Sequence, residues 1–265
     1  MDDWKRLSVL PRGALRRIQD RKLHHFISTH VYPFHSYYRK LFNRHHIKPQ
    51  HIRTASDLKN IPFTTKEDLL PTHNNPERFL DFILRPSEEL IRKYWSLPQL
   101  LRMAFLKTIC GSAAMKKRLI KEYGPIFLTA TTGTTNQPVS FLFSDYDIAN
   151  LRTFGYRIMD ISGGREGDRC INVFPYAPHL AFWQTFFAGI SSQIFMLSTG
   201  GGKVMGTQGD INAIVKLKPN VLIGVPSYVY HLVRSAKEGN QNISAIKKVI
   251  LGASKVPRGL KEKLS

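Results

Sequence analysis

At 265 residues, with 42% hydrophobic and 11% aromatic side chains, the chain can bury a core and does not read as disordered. Its 39 Lys and Arg against 19 Asp and Glu give a net charge of +20, which favours polyanions such as nucleic acid, anionic membrane or phosphorylated substrates; a merely basic solvated surface is the plain alternative. No apolar run approaches the ~20 residues of a membrane span, no signal-peptide pattern opens the chain, and Cys110 and Cys170 form no Cys-x-x-Cys pair, which suits a reducing cytoplasm.

Residues 12–42 place Leu15, Ile18, Leu23, Phe26 and Ile27 at helical spacing, and the cluster Tyr32-Pro33-Phe34 breaks and restarts the helix. Most of the ten histidines fall between His24 and His73. With no carboxylate or cysteine at a ligand spacing among them, they read as surface histidines, and no metal ligand is assigned. Thr65 followed three residues on by Asp68 is a helix N-cap arrangement. Residues 87–123 read as basic helix interrupted by Pro98 and Gly111, with an apolar stripe of Trp95, Leu97, Leu100, Leu101, Phe105, Leu106 and Ile109. Such a stripe suits a membrane surface, but the expectation here is that it packs on its own domain.

Residues 127–141 read Phe-Leu-Thr-Ala-Thr-Thr-Gly-Thr-Thr-Asn-Gln-Pro-Val-Ser-Phe. An apolar run stopped by small hydroxyl residues predicts a buried strand ending in a loop. Gly133 permits close backbone approach, and the flanking threonines offer hydroxyls beside backbone N–H groups, a combination able to cradle polyphosphate oxygens. The Gly-Lys-Ser/Thr ending of a Walker loop is absent. A Thr-rich turn between two strands is the competing reading.

Beyond the loop, Ser144 with Asp147 caps a helix to about Asp160. Strands are predicted at 170–174, 193–197, 221–225 and 248–252, and helices at 179–190, 211–217, from a Ser227 cap to about Lys237, and again near Pro257. This alternation predicts βαβ units and a mainly parallel sheet, hence an α/β fold with a helical N-terminal region at 1–123 and an α/β nucleotide-binding subdomain at 124–265. Sites in such sheets lie at the carboxyl ends of strands, which here carry Phe174-Pro175-Tyr176, Pro226-Ser227-Tyr228 and Gly252-Ala253-Ser254. The segment Ser198-Thr199-Gly200-Gly201-Gly202-Lys203 also follows a strand, but Val204 after Lys203 rules out a Walker loop, and a flexible connection near the site is expected.

Thr131-Thr132-Gly133-Thr134-Thr135-Asn136-Gln137-Pro138 resembles the Ser/Thr-Ser/Thr-Gly-Thr-Thr-Gly-x-Pro phosphate loop of the acyl-adenylate-forming enzymes, with Asn136 for the usual glycine and Val139 for the usual lysine or threonine. Tyr37-Tyr38-Arg39, Asp57-Leu58 and the Pro-Phe-Thr-Thr-Lys run at 62–66 resemble the entry segment of the phenylacetate–CoA ligase branch, and the three post-strand triplets resemble its acyl-pocket, helix-opening and adenine-bordering segments. The resemblance implies that Thr131, Thr132, Gly133, Thr134 and Thr135 hold the β- and γ-phosphates of ATP and that Gly252, Ala253 and Ser254 border adenine. It implies further that Tyr176, His179, Pro226 and Ser227 contact the substrate, and that ATP, Mg²⁺ and coenzyme A serve the activation of a small carboxylic acid; it leaves room for a homodimer, and no specific nucleic acid partner is expected. Residues 87–123 match least. The family pattern continues into a Tyr-Gly-x-Thr-Glu-type segment and a lid domain with an adenylating lysine, and neither occurs here. The chain is therefore expected to be an N-terminal portion, catalytically incomplete alone, with no catalytic residue assigned. The competing expectation is a non-catalytic basic binding module for nucleic acid or anionic membrane on the same fold.

Overall fold

A computed structural model describes residues 3–130, 139–176 and 179–264. The chain divides into two compact units, Met1–Leu128 with Gly133–Asp147, and Thr129–Thr132 with Ile148–Ser265.

The first unit is mostly helical. Arg12–Phe26 runs through a π-helical turn, Ile27–Val31, into the short helix Tyr32–Phe34. His35 leaves helical space (φ −95°, ψ 103°), and its Nδ1 accepts from the Tyr38 amide at 3.3 Å, capping the next helix, Ser36–Arg44. Ile27, Val31, Phe42 and Ile52 form the core between these turns. Phe34 sits edge-on to both Trp95 (6.0 Å between ring centroids) and Tyr123 (5.9 Å). Thr65 and Asp68 close the expected capping box, Asp68 Oδ2 accepting from the Thr65 amide at 2.8 Å and its hydroxyl at 3.2 Å.

Three of the histidines expected on the surface are structural instead. His24 Nδ1 lies 2.8 Å from the Ile52 carbonyl, His30 Nδ1 lies 2.8 Å from the Tyr123 hydroxyl, and His35 is buried.

Glu88–Tyr94 and Leu97–Tyr123 complete the helices, with Pro98 in the first turn of the second and Gly111 (φ +81°, ψ 158°) dividing it. The apolar stripe does not pack as expected. Leu97, Leu101, Phe105 and Ile109 are 68%, 60%, 65% and 64% exposed, while Leu100, Met103 and Leu106 are half-buried. The helix is apolar on two faces, and only one is used. Strands β1 (Pro125–Ala130) and β2 (Ser140–Ser144) form a two-stranded sheet. The apolar start of β1 is open to solvent at Ile126 and Leu128, and burial begins only at Thr129 and Ala130, a correction to the buried strand read from the sequence.

The second unit holds a four-stranded parallel sheet in the order β4-β3-β5-β6: β3 Arg169–Asn172, β4 Phe195–Ser198, β5 Val221–Gly224 and β6 Lys248–Leu251. Alternation along β3 sends Cys170 and Phe174 to one face with Met159, Phe182 and Ile223, and Ile171 and Val173 to the other with Ile211, Leu222, Val229 and Leu232. Burial of the Cys170 thiol pushes its pKa up to about 12, so it is an inert core residue. The first face is covered by Asp145–Ile161 and Leu180–Ser191, and the second by Gly206–Leu217 and Pro226–Glu238. Gly155 lets the first pair of helices touch, because a Cβ there would stand 2.6 Å from Ala188 Cα. The Ser144–Asp147 cap forms as expected, whereas the helix after β5 is opened by Val225 as N-cap and Pro226 in the first turn, with Ser227 already inside it.

Burial lowers the His35 pKa from 6.5 to about 4, Asp81 opposing and Arg39 adding to the shift. His35 is neutral in both states above 6.5; below it the unfolded chain binds a proton that the folded chain refuses until about 4, so stability falls across that interval as pH drops. The upper bound of the effect is about 3 kcal/mol. Thermal unfolding should show this decline, and His35→Asn, which keeps an N-cap acceptor and does not titrate, should flatten it; an unaltered slope in the variant would contradict the assignment.

Candidate functional site

Strand order puts the switch point of the second unit between β3 and β5. The chain leaves β3 toward the helix Leu180–Ser191 on one face, and leaves β5 toward Pro226–Glu238 on the other. The crevice outside the carboxyl ends of two such strands is the natural ligand position in an open α/β sheet.

Asn172 organises this edge. Its side chain is fully buried, and its Oδ1 accepts from the Phe174 amide at 3.1 Å, which turns the chain out of the strand. Its carbonyl accepts from the Thr199 amide at 3.0 Å, and its Nδ2 stands 3.5 Å from Ser198 Oγ. The Tyr176 hydroxyl donates to the Ser198 carbonyl at 2.6 Å, joining the β3 and β4 loops a second time. On the neighbouring strands, the Val173 amide donates to Ile223 O (2.8 Å) and the Gly252 amide to Gly224 O (3.2 Å), extending the ladder to the rim.

The glycine-rich turn after β4 is closely packed, in place of the flexible connection expected. Gly200 and Gly201 have φ of +75° and +69°, values that L side chains adopt only under strain. A Cβ on Gly201 would meet the Val173 carbonyl oxygen at 2.8 Å, and one on Gly202 would meet the Tyr228 ring at 2.8 Å. Tyr228 donates to Asp210 Oδ2 at 2.6 Å; burial, then this bond, pushes the phenol pKa up, so Tyr228 remains a donor. Asp210 Oδ1 and Thr199 Oγ1 are buried with no partner among the described residues.

Of the residues singled out in the sequence, Thr131, Thr132, Gly133, Thr134 and Thr135 lie outside the described residues. The strand leading to them ends beside His179, for Ala130 pairs with His179 in a parallel bridge, and His179 is the N-cap of Leu180–Ser191. Gly252 and Ala253 line a cavity of about 200 Å³ together with Phe174, Ile223 and Gln184. Gln184 is the polar side chain there that makes no hydrogen bond among the described residues, whereas the Thr185 hydroxyl is taken by the Ala181 carbonyl at 2.8 Å. Ala253 holds a left-handed conformation (φ +69°), and Ser254 beyond it is exposed. Tyr176 stands against Phe182 and Gly200, outside this lining. Pro226 is buried at the helix start and Ser227 is exposed beside it. Asn172, Gln184 and the packing of residues 200–202 had no distinct signature in the sequence, apart from the glycine run itself.

No family model matches the chain. It is similar to phenylacetate–CoA ligases of Aromatoleum evansii (23% identity, 86% of this chain and 42% of the relative) and of Thermus thermophilus (22% identity, 88% and 42%). It thus spans less than half the length of these curated relatives. In fold it matches a 2-hydroxyisobutyryl-CoA ligase solved with 2-HIB-AMP and CoA, at a TM-score of 0.76 over 98% of this chain and 48% of that one, with 18% identity; an open conformation of that ligase gives 0.75. The resemblance to adenylate-forming enzymes of the phenylacetate–CoA ligase branch, and the helical-plus-parallel-sheet fold expected from the alternation of strands and helices, are borne out.

Gly201→Ala should destabilise the protein by more than Gly206→Ala, measured by chemical unfolding. Gly206 (φ +71°) has nothing within 4 Å, so its variant bears backbone strain alone, about 1 kcal/mol. Gly201→Ala adds the collision with Val173 O. Equal losses would show that the β4 turn is loosely held.

Proposed function

We propose that the chain is the N-terminal part of an enzyme that activates a small carboxylic acid with ATP and passes the acyl group to a thiol, that of coenzyme A. In the first step a carboxylate oxygen bonds to the α-phosphorus and pyrophosphate leaves; in the second the thiol displaces AMP from the acyl carbon. The observation that carries this reading is the convergence, at one carboxyl edge and astride its switch point, of Phe174-Pro175-Tyr176, the β4 glycine turn, Pro226-Ser227 and Gly252-Ala253-Ser254, with β1 ending at Ala130 beside His179. Similarity to CoA ligases over most of the chain supports it.

On this reading Thr131 to Thr135 receive the phosphates, Gly252, Ala253 and Ser254 border adenine, and Tyr176, His179, Pro226 and Ser227 face the substrate. The 200 Å³ cavity lined by Gly252 and Ala253 falls on the adenine side of this assignment, with Tyr176 outside it. Its walls are largely apolar, and Gln184 supplies an amide able to meet a polar atom of the ligand. Tyr176 is held by its bond to Ser198 O and Tyr228 by its bond to Asp210, which orients both rings at the rim without conformational cost on binding. Among the described residues no group of three His, Cys, Asp or Glu fits a metal ion. No residue is therefore assigned to Mg²⁺ and no step is derived through it.

Calorimetric titration of ATP into the chain and two loop variants tests the reading. Gly133→Val should weaken ATP at least about tenfold by blocking backbone approach, and Thr134→Ala should cost about 1–2 kcal/mol, the loss of one hydrogen bond to a charged group. Unchanged affinity in two variants that unfold at the wild-type temperature would mean that the loop is only a turn.

A further inference from the structure

The helical unit contains a cavity of about 790 Å³ that the ligase reading does not use. It forms where Leu97–Tyr123 is divided at Gly111. Met103, before the break, and Met115 and Leu119, after it, line the cavity together with Ile91 and Leu84. The volume lies in the range of small-molecule sites. All its lining residues belong to the first unit, and most lie in the segment that least resembles the family motifs.

The charges on the lining are lopsided. Arg85, Arg92, Lys107 and Lys116 stand on it against one acid, Glu88, and Glu88 is taken by Arg92 at 3.6 Å. Arg85, Lys107 and Lys116 form no ion pair among the described residues. An apolar hollow rimmed by three uncompensated cations offers burial to a hydrocarbon chain and attraction to an anion at its end. Neither a neutral apolar ligand nor a compact polyanion would use both features.

We propose that this cavity binds an amphiphile with one acyl chain and an anionic head, the chain lying among Ile91, Met103, Met115 and Leu119 and the head meeting Lys107 and Lys116. A free long-chain fatty acid and an acidic lysophospholipid share that chemistry. The site is separate in its residues from those proposed for ATP, so Gly133→Val leaves it intact and its failure would leave the ligase reading standing.

The test is calorimetric titration of the full chain with palmitate and with palmitoyl-lysophosphatidylglycerol, both below their micelle concentrations. The zwitterionic palmitoyl-lysophosphatidylcholine serves as the control. Saturable one-to-one binding of either anion is expected, the stronger of the two identifying the source. The double variant Lys107→Glu/Lys116→Glu should weaken it about tenfold, the order expected when attraction at an exposed rim becomes repulsion. Both residues are exposed, so the fold is retained. Met115→Trp, which fills the hollow without changing charge, should weaken binding independently and carries the test if the charge reversal perturbs the helix. The proposal is overturned if neither anion binds, if binding ignores both variants, or if the chain binds only phosphatidylglycerol vesicles in a manner lost on Leu101→Ser/Phe105→Ser. That last result would make the outer face of the helix a membrane contact.

Discussion

The hydrogen bonds of one buried asparagine hold together the edge on which the proposed chemistry depends. Asn172 spends its Oδ1 on the Phe174 amide and its carbonyl on the Thr199 amide, so the loops after β3 and β4 are fixed to each other before any ligand arrives. A fully buried amide in this position is tolerated because its acceptors are used; stripping one partner leaves an unsatisfied polar group at a cost of about 1–3 kcal/mol. The glycines at 200 and 201 follow from the same constraint. The turn must pass within van der Waals contact of the Val173 carbonyl and the Tyr176 ring, and only a residue without Cβ fits at positive φ. Site geometry here is a consequence of core packing.

The basic charge belongs to a different part of the account. A net charge of +20 raises the local concentration of any anion, ATP included, without choosing among them. Choice comes from where the cations meet apolar surface, and in the helical unit they do so around the cavity divided by Gly111. Helix Leu97–Tyr123 presents one apolar face inward and leaves Leu97, Leu101, Phe105 and Ile109 outward.

Much of the fold was legible because its signals are local. The Thr65–Asp68 and Ser144–Asp147 boxes, the helix end near Asp160 and the short apolar runs of β3 to β6 each depend on residues a few positions apart, and each formed near its predicted place. Most of the failures involve partners distant in sequence. Nothing near His30 announces Tyr123, and nothing near His35 announces that its ring will be buried. Periodicity marked the stripe on Leu97–Tyr123 as apolar but could not say which of two apolar faces the fold would cover. Ser227 was read as the cap, but Pro226 in the first turn moves the helix start back by two positions, to a Val225 cap. In the site, Gly252 and Ala253 were readable from the strand before them, whereas Gln184 becomes notable only once the cavity around it exists.

The central claim is that one carboxyl edge of the second unit, from the β3 loop to the β6 loop, forms a single nucleotide and acyl site. Hydrogen exchange measured by mass spectrometry with and without phenylacetyl sulfamoyl adenosine, a stable acyl-adenylate mimic, tests it most directly. The account predicts slowed exchange in three separate stretches at once, residues 174–176, 198–203 and 251–254, together with 129–135. Protection confined to the helical unit, or absent from these stretches at saturating ligand, would contradict it.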